Sequence, residues 1–508
     1  MVSPLDGKEK MTKKEILSSL TFGHRVAEDE TDVLGTYFVE TDHWERLYRG
    51  DIDVIYGAKG AGKSALYALL LSKMDQLFDR HVLLVNAENL RGATAFRSLI
   101  SDPPTSEREF IGLWKLYFCS LLYSVLQDYD INNDHSRNLG ESLDREGLVK
   151  GSLSLNTILS RIIHYVRMVI KLKSLEGGVE LDPITQLPTG VNGKIVFSEP
   201  STNVDPDLRS VDHLLWLANS ALEEARINVW ILLDRLDVAF VEDIVLEANA
   251  LRALFRVYLD LLAYPSIKTK IFLRTDIWRR ITSEGFREAS HITRHITINW
   301  NRNSLLNLVI RRAIYNKGIS DMYGVTNDLA RNAFDDQESF FYRFCPDQID
   351  VGQNKSKTFD WILNRTRDGS QLNAPRELIH FMNSLREVEL KRMELGETGP
   401  DGEKLFARAS FKDALPEISK VRLEQTLYAE HPENKCFIEK LRREKTLHTP
   451  ESLAVIWNIL PEQATTKAFE LAAIGFFEIR GSKQEPSFWI PFLYRDALEL
   501  VQGSADNS

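Results

Sequence analysis

Residues 57–64 read GAKGAGKS, set directly after the apolar run DVIY (from Asp53) and before the helical run ALYALLLSKM (from Ala65). This stretch matches GxxxxGK[ST], and its setting restricts the fold more than any other feature of the chain. Glycines let a backbone wrap an anion without Cβ clashes, and successive N–H groups of such a turn point inward. The helix that follows adds its positive end. A glycine-rich turn with a chance lysine would not need a strand before it and a helix after it. The spacing therefore predicts an α/β nucleotide-binding core with Gly57, Ala58, Lys59, Gly60, Ala61, Gly62, Lys63, Ser64 and Ala65 around the phosphates of ATP. Lys63 is expected to reach the β- and γ-phosphates, and Ser64 to ligate Mg²⁺.

A second stretch, VWILLDRLDVAF (Val229–Phe240), carries five apolar residues into Asp234. An aspartate closing a buried strand is the natural magnesium partner of Ser64, directly or through water. Many ATPases place a water-activating glutamate next, but here the next residue is Arg235 and the next acid is Asp237. If the chain leaves the strand in a helical turn, residues three apart share a side, and Asp237 approaches the magnesium shell. The alternative is that Asp237 pairs with an arginine and only shapes the site. The run KIFLRTD (from Lys270) presents Arg274, Thr275 and Asp276 at the same sheet edge, where ligands of open α/β sheets bind. Arg376, in NAPRELIHF, starts a helix after a proline and is a candidate to reach the phosphates from a lid. An arginine finger from a neighbouring subunit would come from among Arg279, Arg280, Arg287 and Arg294.

Five apolar runs read as strands: DVIYG, HVLLVNAE (from His81), VWILLD, KIFLRTD and HITINW (from His295). Continuous apolar strands separated by helices imply a parallel sheet covered on both faces. An insertion spans about 128–210. Its first part, DYDINNDHSRNLGES (from Asp128), reads as a polar loop. Its last part, from Leu175, is rich in Gly, Pro and Asn and reads as a projecting β-hairpin or a flexible arm. Between them, LSRIIHYVRMVIKLK (from Leu159) is an amphipathic helix.

The 508 residues carry a net charge of −10 at pH 7, which argues against a chain-wide nucleic-acid or membrane-surface footprint. Three distant cysteines build no disulfide framework. FIGLWKLYFCSLLYSVL (from Phe110) contains Lys115 and is short for a membrane span, so a buried helix is expected. With no signal-peptide core at the start, the expectation is a cytoplasmic protein without a membrane partner.

The ordered set YGAKGAGKSALY, ILLDRLD, FLRTDIW and NAPRELIHFMN resembles a bacterial P-loop ATPase of the AAA+/STAND type, and within it the group related to origin-recognition initiators. FGHRVAEDE (from Phe22) and YFVETDHWERLYRGD (from Tyr37) are similar to that group's approach to the loop. The resemblance implies an additional-strand P-loop NTPase core at 46–300 behind an N-terminal segment (1–45). It also implies a helical lid at 301–395, with Arg376 as its sensor arginine, and a C-terminal winged helix at 400–508. Relatives of this kind serve in anti-phage defence, so the expectation is a slowly hydrolysing ATP switch controlling a separate effector, in a homo-oligomer. The alternatives are a DNA-binding initiator or transposition-type ATPase, and a nucleotide-bound adaptor that does not turn over.

The segment from Glu451 supports the last element, reading as helix, turn, helix and two strands around RGSKQEP, with Thr465–Ile474 in the recognition-helix position. Residues 419–508, however, hold 11 Lys and Arg against 13 Asp and Glu. DNA-reading modules carry a basic surplus, so a protein-docking role stands beside DNA binding.

Overall fold

The computed structural model describes residues 11–24, 30, 34–35, 42–88, 106–148, 154–174, 195–196, 209–236, 243–283, 285–331, 333–482 and 484–505. The chain forms two compact units. One, the sheet unit, comprises Glu40–Ala58 and Lys63–Ile298; the other, the helical unit, comprises Met1–Val39, Lys59–Gly62 and Asn299–Ser508.

All five apolar runs of the sheet unit become strands: β1 (Val54–Gly57), β2 (Val82–Asn86), β5 (Asn228–Leu233), β6 (Ile267–Arg274) and β7 (His295–Thr297). A separate parallel pair joins β3 (Ile195–Val196) to β4 (Arg209–Ser210). The main sheet runs β2-β5-β6-β1-β7, and every pairing in it is parallel. The extra strand β6 therefore separates the glycine-loop strand β1 from β5, which ends at Asp234, as expected for an additional-strand core. Because the strands are parallel, all their carboxyl ends meet at one edge. Apolar residues on both faces explain why these runs read as continuous rather than alternating.

The long helix Glu107–Asp128 is apolar and long enough to cross a membrane, but 83% of its most apolar window is buried inside the protein. Ser106 caps its start by accepting from the Glu109 N–H. Its indole Trp114 Nε1 donates to Ala250 O at 2.9 Å, and Tyr117 Oη donates to Ala87 O at 2.8 Å. Lys115 is bound by Asp212 and by Asp260, each at 2.6 Å. It is a core helix of the sheet unit.

At the amino edge of the sheet, Asp53 receives Lys270 Nζ at 2.8 Å and Arg294 Nε at 2.6 Å. Lys270 has no exposed side-chain surface and lies 4.5 Å from the Trp230 ring centroid. This cluster ties together the residues that open β1 and β7 and the interior of β6.

Two sequence expectations change, and a third lies almost wholly outside the described residues. The polar stretch from Asp128 is not simply a loop: Asp134–Arg145 is helical. Asn133 accepts from Ser136 N at 2.9 Å while Ser136 Oγ accepts from Asn133 N at 3.0 Å, and this reciprocal cap starts a helix that buries Leu139 and Leu143. Of residues 175–208 only Ile195–Val196 is described, in the parallel β3–β4 pair; the hairpin-or-arm reading falls on residues that lie outside the described ones. Finally, β7 stops at Thr297, short of Trp300.

In the helical unit, the expected helices appear as Arg302–Tyr315, Thr358–Thr366 and Pro375–Glu394. The N-terminal helix Lys13–Ser19 packs with them. Arg386 Nε donates to Leu17 O at 2.9 Å, and Arg312 pairs with Glu30 at 3.1 Å while also donating to Phe22 O. The last hundred residues contain helices Pro450–Trp457 and Pro461–Ala473. They also hold a four-stranded sheet in the order β11 (Val501–Ser504), β8 (Lys445–His448), β10 (Pro486–Trp489), β9 (Glu478–Gly481). The ribbon β9–β10 is antiparallel, as the two runs around RGSKQEP imply. One apolar cluster runs from Ile16 to Leu498. Arg422 adds a polar tie, reaching Glu377 at 3.0 Å and Asp368 at 3.3 Å.

Lys115 offers a test of the core. Burial alone would lower its pKa, but the hydrogen bonds and charges of Asp212 and Asp260 outweigh that and raise it above the ordinary lysine value. Such a group stabilises the fold fully below the unfolded lysine pKa, and that contribution fades as pH rises through the higher folded value. Lys115→Met should cost about 1–3 kcal/mol at neutral pH, because it leaves two half-exposed carboxylates facing each other. Thermal unfolding from neutral to alkaline pH should show the wild-type advantage over K115M shrinking above the ordinary lysine range.

Candidate nucleotide-binding site

The glycine loop leaves β1 at Gly57 and enters the helix Lys63–Ser72. Gly60 (φ 77°) and Gly62 (φ 98°) adopt the left-handed backbone that residues with a Cβ resist. Lys63 Nζ donates back to Gly57 O at 3.0 Å and Ala58 O at 3.2 Å, so its ammonium is held over the loop. One residue into the helix, Ser64 Oγ donates to Asp234 Oδ2 at 2.9 Å. Asp234 is only 6% exposed. Two motifs 170 residues apart thus meet through a hydroxyl and a carboxylate, both hard oxygen ligands of the kind Mg²⁺ accepts.

The central loop residues Lys59–Gly62 group with the helical unit. Trp300 Nε1 donates to Ala61 O at 2.8 Å, and Lys59 pairs with Glu430. A Cβ at Gly60 would lie 3.2 Å from Arg376 Cβ and 3.4 Å from Ala374 Cβ. Arg376 therefore stands against the loop from the start of its helix, where Pro375 occupies the first turn.

At the carboxyl end of β6, Arg274 grips Asp276 at 2.7 Å and 3.1 Å. Burial acts to raise the Asp276 carboxyl, but the Arg274 guanidinium and nearby backbone N–H groups outweigh it and lower its pKa. Arg274 closes β6, the strand that lies beside β5 in the sheet.

Asp237 lies outside the described residues, but the step into it is visible. Arg235 has φ 56°, so the chain leaves Asp234 through a left-handed residue rather than the right-handed turn assumed for the Asp234–Asp237 spacing. Leu236, 1% exposed, anchors that departure in the core. Of the arginines considered as fingers, Arg294 is bound at the amino edge to Asp53 and Gly50 O, and Arg280 pairs with the buried Glu247. Arg279 and Arg287 are exposed.

Sequence reading missed two residues here. Trp300 was taken as the tail of a strand, yet its indole holds a loop carbonyl. Glu88 ended a strand run without any motif around it, yet it is buried, 3% exposed, beside the strand that carries Asp234. Only the register of β2 against β5 reveals it.

No protein-family model matches the chain, and no curated protein matches it. Solved structures give a likeness. It is to ORC proteins of Aeropyrum pernix. The ORC1 protein in complex with DNA covers 94% of this chain and 96% of its own, at 11% identity and a TM-score of 0.37. The ORC2 protein in ADPNP–ADP complexes covers 94% of each at 12% identity and a TM-score of 0.33. The ADP form of ORC2 gives 12% identity and 0.29. TM-scores this low do not establish a shared fold, and the reading of the site rests on its own residues.

The loop geometry can be tested at Gly60. Gly60→Ala forces a Cβ into a left-handed position and against Arg376, at an expected cost of about 1–3 kcal/mol. Thermal denaturation should show a lower Tm, and titration with ATP a weaker affinity. An unchanged Tm would mean that the loop relaxes freely away from Arg376.

Proposed function

We propose that the chain is an ATP-dependent switch that binds ATP with Mg²⁺ and hydrolyses it slowly. The observation that carries this reading is the Ser64–Asp234 contact at the mouth of a glycine loop, on the carboxyl edge of a parallel sheet. Backbone N–H groups of Gly57–Ala65 would cradle the phosphates. Lys63 would exchange the Gly57 and Ala58 carbonyls for β- and γ-phosphate oxygens. Ser64 and Asp234 would hold Mg²⁺, which neutralises phosphate charge when bound. Arg274 and Arg376 are proposed to face the γ-phosphate, from β6 and from the lid-like helix Pro375–Glu394. In phosphoryl transfer, such positioning and charge neutralisation supply most of the catalysis.

The proposed biological role, a regulatory ATPase of a bacterial defence system acting on a separate effector, rests on the motif resemblance. The proposed winged helix is supported by two helices followed by an antiparallel ribbon. Its charge favours protein docking over DNA. On the helix Pro461–Ala473 the exposed residues are Pro461, Glu462, Gln463, Thr466, Phe469, Glu470 and Ala473, and Lys467 is engaged by Glu470 and by Asn434. A DNA-reading helix presents basic or amide side chains along that face.

Lys63→Ala should abolish or severely weaken ATP binding in calorimetric titration while leaving the fold intact, because its ammonium bonds loop carbonyls and packs in no core. Unchanged affinity in the folded variant would sink the assignment. The full chain should shift duplex DNA weakly or not at all at physiological salt, with or without ATP. A tight, sequence-selective mobility shift would promote the initiator reading instead, and absence of phosphate release would promote the non-hydrolysing adaptor.

A further inference from the structure

Asp234 has no carboxylate beside it in sequence, but it has one beside it in the sheet. Asn86 on β2 is register-paired with Leu232 on β5. The ladder continues one residue past β2, since Ala87 N donates to Leu232 O at 2.9 Å. Asn86 faces the helix Lys63–Ser72, because Tyr67 Oη donates to its Oδ1 at 3.1 Å. Side chains of extended chain alternate in direction, and paired residues of neighbouring strands project to the same side. Two positions on, just past the strand ends, come Glu88 after β2, where the chain bends, and Asp234 after β5. Asp234 meets the same helix, through Ser64. Glu88 and Asp234 thus leave neighbouring strands at the same level of the carboxyl edge.

The surroundings agree. The Tyr67 hydroxyl is pushed up first by burial, then by the charges of Asp234 and Glu88, so one phenol senses both carboxylates. Tyr117 is pushed up by burial and then by Glu88, while its hydroxyl holds Ala87 O at 2.8 Å. The backbone that presents Glu88 is thus fixed by the ladder on one side and by a core helix on the other.

We propose that Glu88 is the water-activating carboxylate of the site, supplied by the neighbouring strand in place of a glutamate after Asp234. The assignment rests on the ATPase reading above. In the step it serves, a water oxygen forms a bond to the γ-phosphorus, and Glu88 accepts a proton from that water. The bond from the γ-phosphorus to the β,γ-bridging oxygen breaks, and its electron pair leaves with ADP. Inorganic phosphate departs, and Glu88 returns its proton to solvent.

The test compares full-length wild type, Glu88→Gln, Glu88→Asp and Asp237→Asn. It measures ATP affinity by calorimetry, single-turnover cleavage with Mg²⁺, and the identity of nucleotide retained after gel filtration. Glu88→Gln should bind ATP as wild type does, cleave it about 100-fold or more slowly, and retain ATP where wild type retains ADP. Glu88→Asp, which keeps the charge but shortens its reach, should cleave at a reduced rate with unchanged affinity and serves if the amide variant does not fold. Cleavage by folded Glu88 variants at the wild-type rate overturns the proposal. So does loss of ATP affinity in step with loss of cleavage, which marks a structural residue. Asp237→Asn losing cleavage while Glu88→Gln keeps it would give the role to Asp237. Failure of the underlying ATPase reading looks different: wild type itself would not bind ATP, and this proposal would fall with it.

Discussion

One contact, the Ser64 hydroxyl against the Asp234 carboxylate, closes a circuit on which the rest of the site depends. It requires β1 and β5 to end at the same edge, which only a parallel arrangement supplies. It requires the glycine loop to turn sharply enough that the helix begins at Lys63. It also requires the helix start at the end of β1 to reach across β6, which lies between the two strands, to the end of β5. Each requirement is a backbone constraint, met by residues that never touch a ligand. The Asp53–Lys270–Arg294 cluster at the opposite edge is one such support, setting β1, from which the loop emerges, against its neighbours β6 and β7.

The five strands were legible in sequence because burial on both faces makes them continuous apolar runs, punctuated by Gly57 or Asp234 where they end. What failed to read was local in chemistry or distant in space. The stretch around Asn133 is polar enough to pass for a loop, and only the reciprocal Asn133–Ser136 cap turns it into a helix. Trp300 looks like one more apolar strand residue, because nothing nearby in sequence reveals that its N–H meets Ala61 O. Glu88 is silent for a related reason. Motifs describe neighbours along the chain, whereas a sheet makes neighbours of residues such as Glu88 and Asp234, 146 positions apart.

The helical unit shows the opposite balance. Its helices were predictable from periodicity, yet the segments named lid and winged helix share one apolar cluster, and Arg422 bridges to Glu377 and Asp368. Cores made by side chains from Ile16 to Leu498 carry no punctuation that sequence reading can use to divide them. The acidic balance of the last ninety residues was readable directly. The helix Pro461–Ala473 gives it a location, with acids and an engaged lysine on its open face.

The left-handed backbone at Arg235 bears on how such a site can change over generations. A family in which Asp is followed by Glu holds both carboxylates on one stretch of chain, and a single codon can make or erase the second. Here a glutamate codon at position 235 would put its side chain on a backbone turned the other way, with Leu236 buried behind it. The two arrangements therefore differ in the backbone that leaves the strand as well as in one side chain, so that a new carboxylate at 235 would not by itself stand where such a family holds its own.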